Sequence, residues 1–252
     1  MVTKLMKKEW NEYLKTGIFY ILLFVFVFFA ILSPITAKFM PELIKSLSQE
    51  ITITVPPPTW RDSFVQFSKN LNQIVFIVIV LVFLGSVAEE KNHGTASLVA
   101  VKGIDRRKWV FSKLLSQLLL SLAMLAIAFF LCFYYAKLLF PETQFYPAFS
   151  STVLFAVYLF FILTLTIFSS SIGNSMLQSA GIFFAIFIIL NILNIILQIK
   201  LYNPMTLSSI ENQWIISKVA WRDTIKPIIS TALLSLILIF SATAYFEKQE
   251  LP

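Results

Sequence analysis

Between Val75 and Ala88 the chain reads VFIVIVLVFLGSVA, without an ionisable residue, and comparable runs recur through to the C-terminal region. Runs of this kind constrain the fold more than anything else here. In lipid no water is present to satisfy backbone N–H and C=O groups, so each run has to close its own hydrogen bonds as a helix. A span needs about 20 apolar residues. Six segments meet that length: 17–37, 71–88, 114–136, 150–170, 177–197 and 228–246. The expectation is an all-α polytopic membrane protein, with residues 1–252 forming a single transmembrane domain.

Charged residues make up 13% of the chain, about half the 25% usual in soluble domains, and 58% of residues are hydrophobic. Little sequence is left for a soluble catalytic domain. The net charge of +7 comes with basic residues that flank the apolar runs, the pattern of a protein whose partner is the bilayer rather than nucleic acid. No paired carboxylates, His–Glu cluster or Ser–His pair falls within the runs, so the chain is not expected to be an enzyme. Cys132 stands alone in an apolar run as a packing residue, and the single histidine, His93, cannot build a metal site. Lys4, Lys7 and Lys8 followed by the run Ile18 to Leu32 imitate a signal peptide, but five more runs follow, so the first is read as a retained span.

The flanks refine the picture. Prolines and all five tryptophans fall outside span interiors, the tryptophans at expected headgroup depth. Residues 2–16 place Met6, Trp10 and Tyr13 on one side and charges on the other, an amphipathic helix expected to lie in the membrane surface. Thr59 and Asp62 mark the start of a helix running into span two. Lys102, Arg106, Arg107, Lys108 and Lys113 crowd one short loop, so that loop and both termini are expected on the cytoplasmic side. In span five Asn191, Asn194 and Gln198 share one helical face, as interhelical glue or as a polar stripe along a translocation path or dimer seam.

Residues 89–113 read EEKNHGTASLVAVKGIDRRKWVFSK. Glu89 and Glu90 leave the membrane, Gly94 breaks the helix, and Asp105 caps a new one that begins with three cations, Arg106, Arg107 and Lys108. Cations at a helix N-terminus oppose its dipole, so these are expected to meet lipid phosphates or a partner. The order of residues resembles the loop after the second span of ABC-2-type exporter permeases (the type V exporter fold). A Glu-rich segment, Gly-Thr, leucines, Arg-Arg and a following Lys correspond to Glu89, Glu90, Gly94, Thr95, Leu98, Arg106, Arg107 and Lys113, with Gly103 where proline is common. The N-terminal amphipathic helix, the six spans and a larger segment between spans five and six fit the same family.

The resemblance implies that residues 89–108 dock on a separate cytoplasmic ATP-binding subunit, beside the helix 2–16. It also implies that a second permease chain, identical or related, completes the transport path. ATP and Mg would be bound by that partner; this chain has no G-x-x-x-x-G-K-[ST] loop and needs no cofactor of its own. Apolar runs without charge also lack the relay that gradient coupling uses. The alternative is a non-transporting scaffold, sensing or immunity subunit of similar fold.

Overall fold

The computed structural model describes residues 2–47, 56–95, 103, 105–216 and 221–249, and every element among them is helical. Helix α1 (Val2–Lys15) turns near Gly17 into α2 (Ile18–Leu47). The second span is a stack of pieces: α3 (Trp60–Asn70), a π-helical turn (Leu71–Val75), α4 (Phe76–Phe83) and α5 (Ala88–Asn92). After it come α6 (Arg106–Leu139), α7 (Phe145–Ile172), α8 (Met176–Leu193), α9 (Leu197–Lys200), α10 (Thr206–Ile216) and α11 (Trp221–Lys248). Among the described residues six helices are long and apolar enough to cross a membrane, which makes this a polytopic membrane protein.

The helices outrun the apolar runs. Span two covers Trp60–Asn92, which at about 1.5 Å per residue is roughly 50 Å long. The hydrocarbon layer is only about 30 Å thick, so charged turns extend past it. Local caps fix the two predicted starts. The Thr59 N–H donates to Asp62 Oδ2 at 2.7 Å, and the Asp105 carboxylate accepts from the Arg107 N–H at 2.9 Å.

Other boundaries differ from the sequence expectation. Pro41 and Pro227 lie inside helices rather than in loops or first turns, and Pro34 lies within a helix rather than near its end. Hydroxyls near two of them bind carbonyls one turn back, Ser33 to Phe29 and Thr231 to Pro227. Trp60, Trp109 and Trp214 are buried packing residues, not headgroup anchors, because each ring has a helix partner to cover it. Trp109 stacks on Phe246 at 5.0 Å, and the Trp214 ring meets Tyr146 edge-on.

Helix α7 is the axis of the bundle, with 67% of its apolar window buried against 11% for α8. It packs mainly on α11 and α10, while α2 packs on α6 and α3. Phe129 joins α6 to α7 through Phe145 and Phe149, and Phe76 stacks on Phe187 to hold α8 against α4. One end of the bundle gathers α1, α5, the start of α6, the α7–α8 turn and the end of α11: the charged face. The other, the far face, holds the start of α3 and helices α9 and α10.

The turn at Leu84–Val87 interrupts span two just before α5. It leaves the N–H groups of Val87 and Ala88, both fully buried, outside the helical ladder. Ser170 of α7 accepts both on its Oγ, at 3.0 Å each. One hydroxyl oxygen thus closes the break. Ser170→Ala orphans two buried donors, each costing about 1–3 kcal/mol. The expected outcome is a clear fall in thermal midpoint in detergent with the helical circular dichroism of the folded state unchanged; an unaltered midpoint contradicts this role.

Candidate functional site

Three elements meet on the charged face around the ammonium of Lys113, which is 1% exposed. Its Nζ donates to both oxygens of Glu9 at 3.0 Å and to Glu90 Oε1 at 2.7 Å. It also lies 5.0 Å above the Trp109 ring. Lys8 completes the group from outside, donating to Glu90 at 3.0 Å. One lysine from α6 therefore ties α1 to the end of span two. Two ammonium groups balance the carboxylates of Glu9 and Glu90, as a buried ion pair requires.

Burial pushes the Glu9 carboxyl above the usual carboxylate range, and the Lys113 charge opposes that shift. Glu9, Glu12 and Glu90 bring carboxylate oxygens within 4.8 Å of one another, a spacing that suits a metal ion. Here Lys8 and Lys113 already stand where such a cation would sit, so the trio is a neutralised cluster rather than a metal centre.

Of the predicted coupling residues, Glu90 and Lys113 are brought together although 23 positions apart. Arg106 and Arg107 are used within the chain. The Arg106 guanidinium donates to the carbonyls of Glu247 at 3.2 Å and Gln249 at 2.8 Å, and Arg107 pairs with the Glu247 carboxylate. The end of α11, negative by its dipole, thus meets Arg106 and Arg107 at the start of α6 and offsets the apparent dipole conflict. Lys91, buried, donates to the Ser171 carbonyl at 2.8 Å and reaches Gln249, which in turn donates to Asn174.

Glu89, His93 and Thr95 remain exposed, with Gly94 turning the backbone at φ +70° between them. Thr95 Oγ1 donates back to the Glu90 carbonyl. A groove of about 410 Å³ runs between α1 and α5, lined by Lys8, Glu12, Ser86, Glu89, Glu90 and His93. Leu98 lies outside the described residues.

The amphipathic helix forms, with a correction to its faces. Met6 and Trp10 are half-buried and Tyr13 is buried, edge-on to Phe83 at 5.9 Å. Glu9, expected on the charged side, is on the same buried face, because α1 packs onto α6 and meets Lys113 there.

Span five is also corrected. Helix α8 ends at Leu193, so Asn191, Asn194 and Gln198 do not share one helical face. Asn191 is exposed and donates back to the Phe187 carbonyl, while the Asn194 carboxamide oxygen accepts from Thr206 Oγ1 at 2.7 Å. The Gln198 side chain lies outside the described residues. In its place, a polar row on α6 (Lys113, Gln117, Ser121) points inward, all three fully or nearly buried. Their spacing of four marks one helix face, a signal visible in sequence but masked by the surrounding leucines.

The arrangement defines a helical membrane protein with a charge-locked assembly at one face. The chain belongs to the family described as a protein of unknown function (DUF2705), whose profile matches residues 51–251. It is also similar to the uncharacterized transmembrane protein YxlG of Bacillus subtilis (strain 168), 27% identical over 180 residues that cover 70% of each chain.

The clamp predicts a non-additive mutational response. Lys113→Met alone leaves two acidic groups facing each other out of water and is expected to cost about 3–5 kcal/mol. Adding Glu9→Gln and Glu90→Gln should restore most of the lost thermal midpoint, because the uncompensated charge goes with them. A triple variant no more stable than Lys113→Met, measured by thermal unfolding in one detergent, contradicts the clamp.

Proposed function

We propose that this chain is the membrane-spanning subunit of an ATP-driven ABC-2-type exporter, with the charged face in the cytoplasm of a bacterial plasma membrane. Two permease chains enclose the path, and separate ATP-binding subunits hold ATP and Mg. The observation that carries this reading is the mechanical continuity around Lys113. The exposed turn through Glu89, His93 and Thr95 continues directly from α5, and α5 is joined through Glu90 and Lys113 to α1 and α6.

A push on that turn is therefore delivered to three elements together. Ser170 fixes the break above it to the central helix α7, so displacement passes into the bundle rather than being absorbed locally. ATP supplies energy to the extent that it binds the closed state of its subunits more tightly than the open one. The scarcely covered face of α8, with the exposed Asn191, supports a second permease chain there.

Because Arg106 and Arg107 are engaged with α11, the residues that contact the ATP-binding subunit are Glu89 and His93. Affinity purification of the tagged chain from its native membranes is expected to retain an ABC ATP-binding subunit, identified by mass spectrometry. Glu89→Arg with His93→Glu should release it while the elution volume of the chain is unchanged. Recovery of the chain without any ATP-binding subunit, or equal retention by the variant, contradicts the proposal.

A further inference from the structure

Helix α10 folds back from the far face onto α7 and α3 and carries Glu211 into the bundle, where it is fully buried. Its Oε1 accepts from Asn72 Nδ2 at 2.9 Å, and the same amide nitrogen donates to the Ser68 carbonyl at 2.9 Å. Both amide protons are thereby used. Among the described residues, two buried oxygens, Glu211 Oε2 and Asn72 Oδ1, are then left without a partner on side chains that already touch. Both are acceptors, and the pair lacks one donor.

No ion pair among the described residues reaches Glu211. The groups facing it are neutral. Helix α7 presents the Tyr158 phenol, whose hydroxyl points to Met205 Sδ at 3.7 Å. The second span presents Ser68 and Asn72, and α11, the other helix on α10, presents Thr224 to Trp214. An ionised carboxylate buried here has no cation among the described residues to balance it. A proton on Oε2, taken from water, cancels the charge and supplies the missing donor.

We propose that Glu211 and Asn72 form a proton-binding site between α10 and the π-helical turn of span two. The location gives the proton a structural consequence. Asn72 lies within that turn, Leu71–Val75, where the winding of span two departs from α-helical, and such turns recur where helices rearrange at functional sites. Protonated, Glu211 stays docked and α10 holds the turn. Deprotonated, it is drawn toward water and α10 loosens, so each opening returns one proton to the solvent. The site stands independently of whether the chain transports anything.

Burial pushes the Glu211 carboxyl up to about 8, with the nearby Ser68 hydroxyl and the Asn72 amide pulling it down. The folded-state value exceeds the ordinary 4.5. The folded chain therefore holds more protons than the unfolded one between those limits. The docked form is most stable in acid and loses stability as pH rises from about 4.5 through about 8.

Infrared spectra of the purified chain in lipid discs, with and without carbon-13 glutamate, test this between pH 5 and 10. The wild type should show a protonated-carboxyl stretch at pH 7 that shifts with the label and vanishes with a midpoint near 8. Glu211→Gln, which keeps the shape and supplies its own donor, should lack that band, and Asn72→Leu should shift its midpoint. Absence of the band from the wild type at pH 7 overturns the proposal. So does its persistence in Glu211→Gln, or an unmoved midpoint in Asn72→Leu. Should Glu211→Gln fail to fold, the labelled wild type and Asn72→Leu decide the question.

Discussion

An ammonium group taken out of water is tolerated only where carboxylates and hydrogen-bond acceptors replace its hydration, and Lys113 meets that condition by recruiting two separate elements. Glu9 arrives on α1 and Glu90 at the end of span two, each within 3.0 Å. None of the three contacts is local in sequence. Remove the lysine and the helix 2–15 keeps its apolar side, Met6, Trp10 and Tyr13, and the more exposed Lys8–Glu90 pair to hold it on the bundle. With the lysine present, the arrangement has one register, because two carboxylates must reach one nitrogen. The clamp thus specifies where α1 sits, and stability is a secondary gain.

The same logic recurs along span two. An unbroken α-helix of that length would move as a rod. This one is interrupted twice, and each interruption is held by a side chain from another element. Ser170 of α7 closes the break at Leu84–Val87, and Glu211 of α10 meets Asn72 in the π-helical turn. Span two therefore has two joints, each with a named catch, while the clamp grips its charged end. Movement of the exposed turn at Glu89–Thr95 would be read at the first joint by α7 and at the second by α10.

Sequence and structure part where burial is set by tertiary partners. The six apolar runs, the caps at Thr59 and Asp105, and the helix before the first span were legible because periodicity and capping are local. The order of Glu90 and Lys113 in one loop hinted at a shared role, but only folding shows them 2.7 Å apart. Glu9 was hidden by its charge, since an acid on a helix reads as solvated until a lysine is found opposite. Glu211 was hidden by its address: a residue between two spans reads as external, and nothing local says that α10 folds inward. Asn191, Asn194 and Gln198 show the converse error, a face drawn through a helix that ends at Leu193. The contacts of Arg106 and Arg107 with the end of α11 were not legible because that end is distant in sequence.

The central claim is that α1 is locked to the bundle through Lys113. Hydrogen–deuterium exchange on the chain in lipid discs addresses it most directly. The amides around Glu9 and Tyr13 should be protected to a degree comparable with those around Lys113, and Lys113→Met should release the former while leaving the core of α7 protected. Rapid exchange throughout α1 in the wild-type chain, with α6 and α7 protected, would contradict the account.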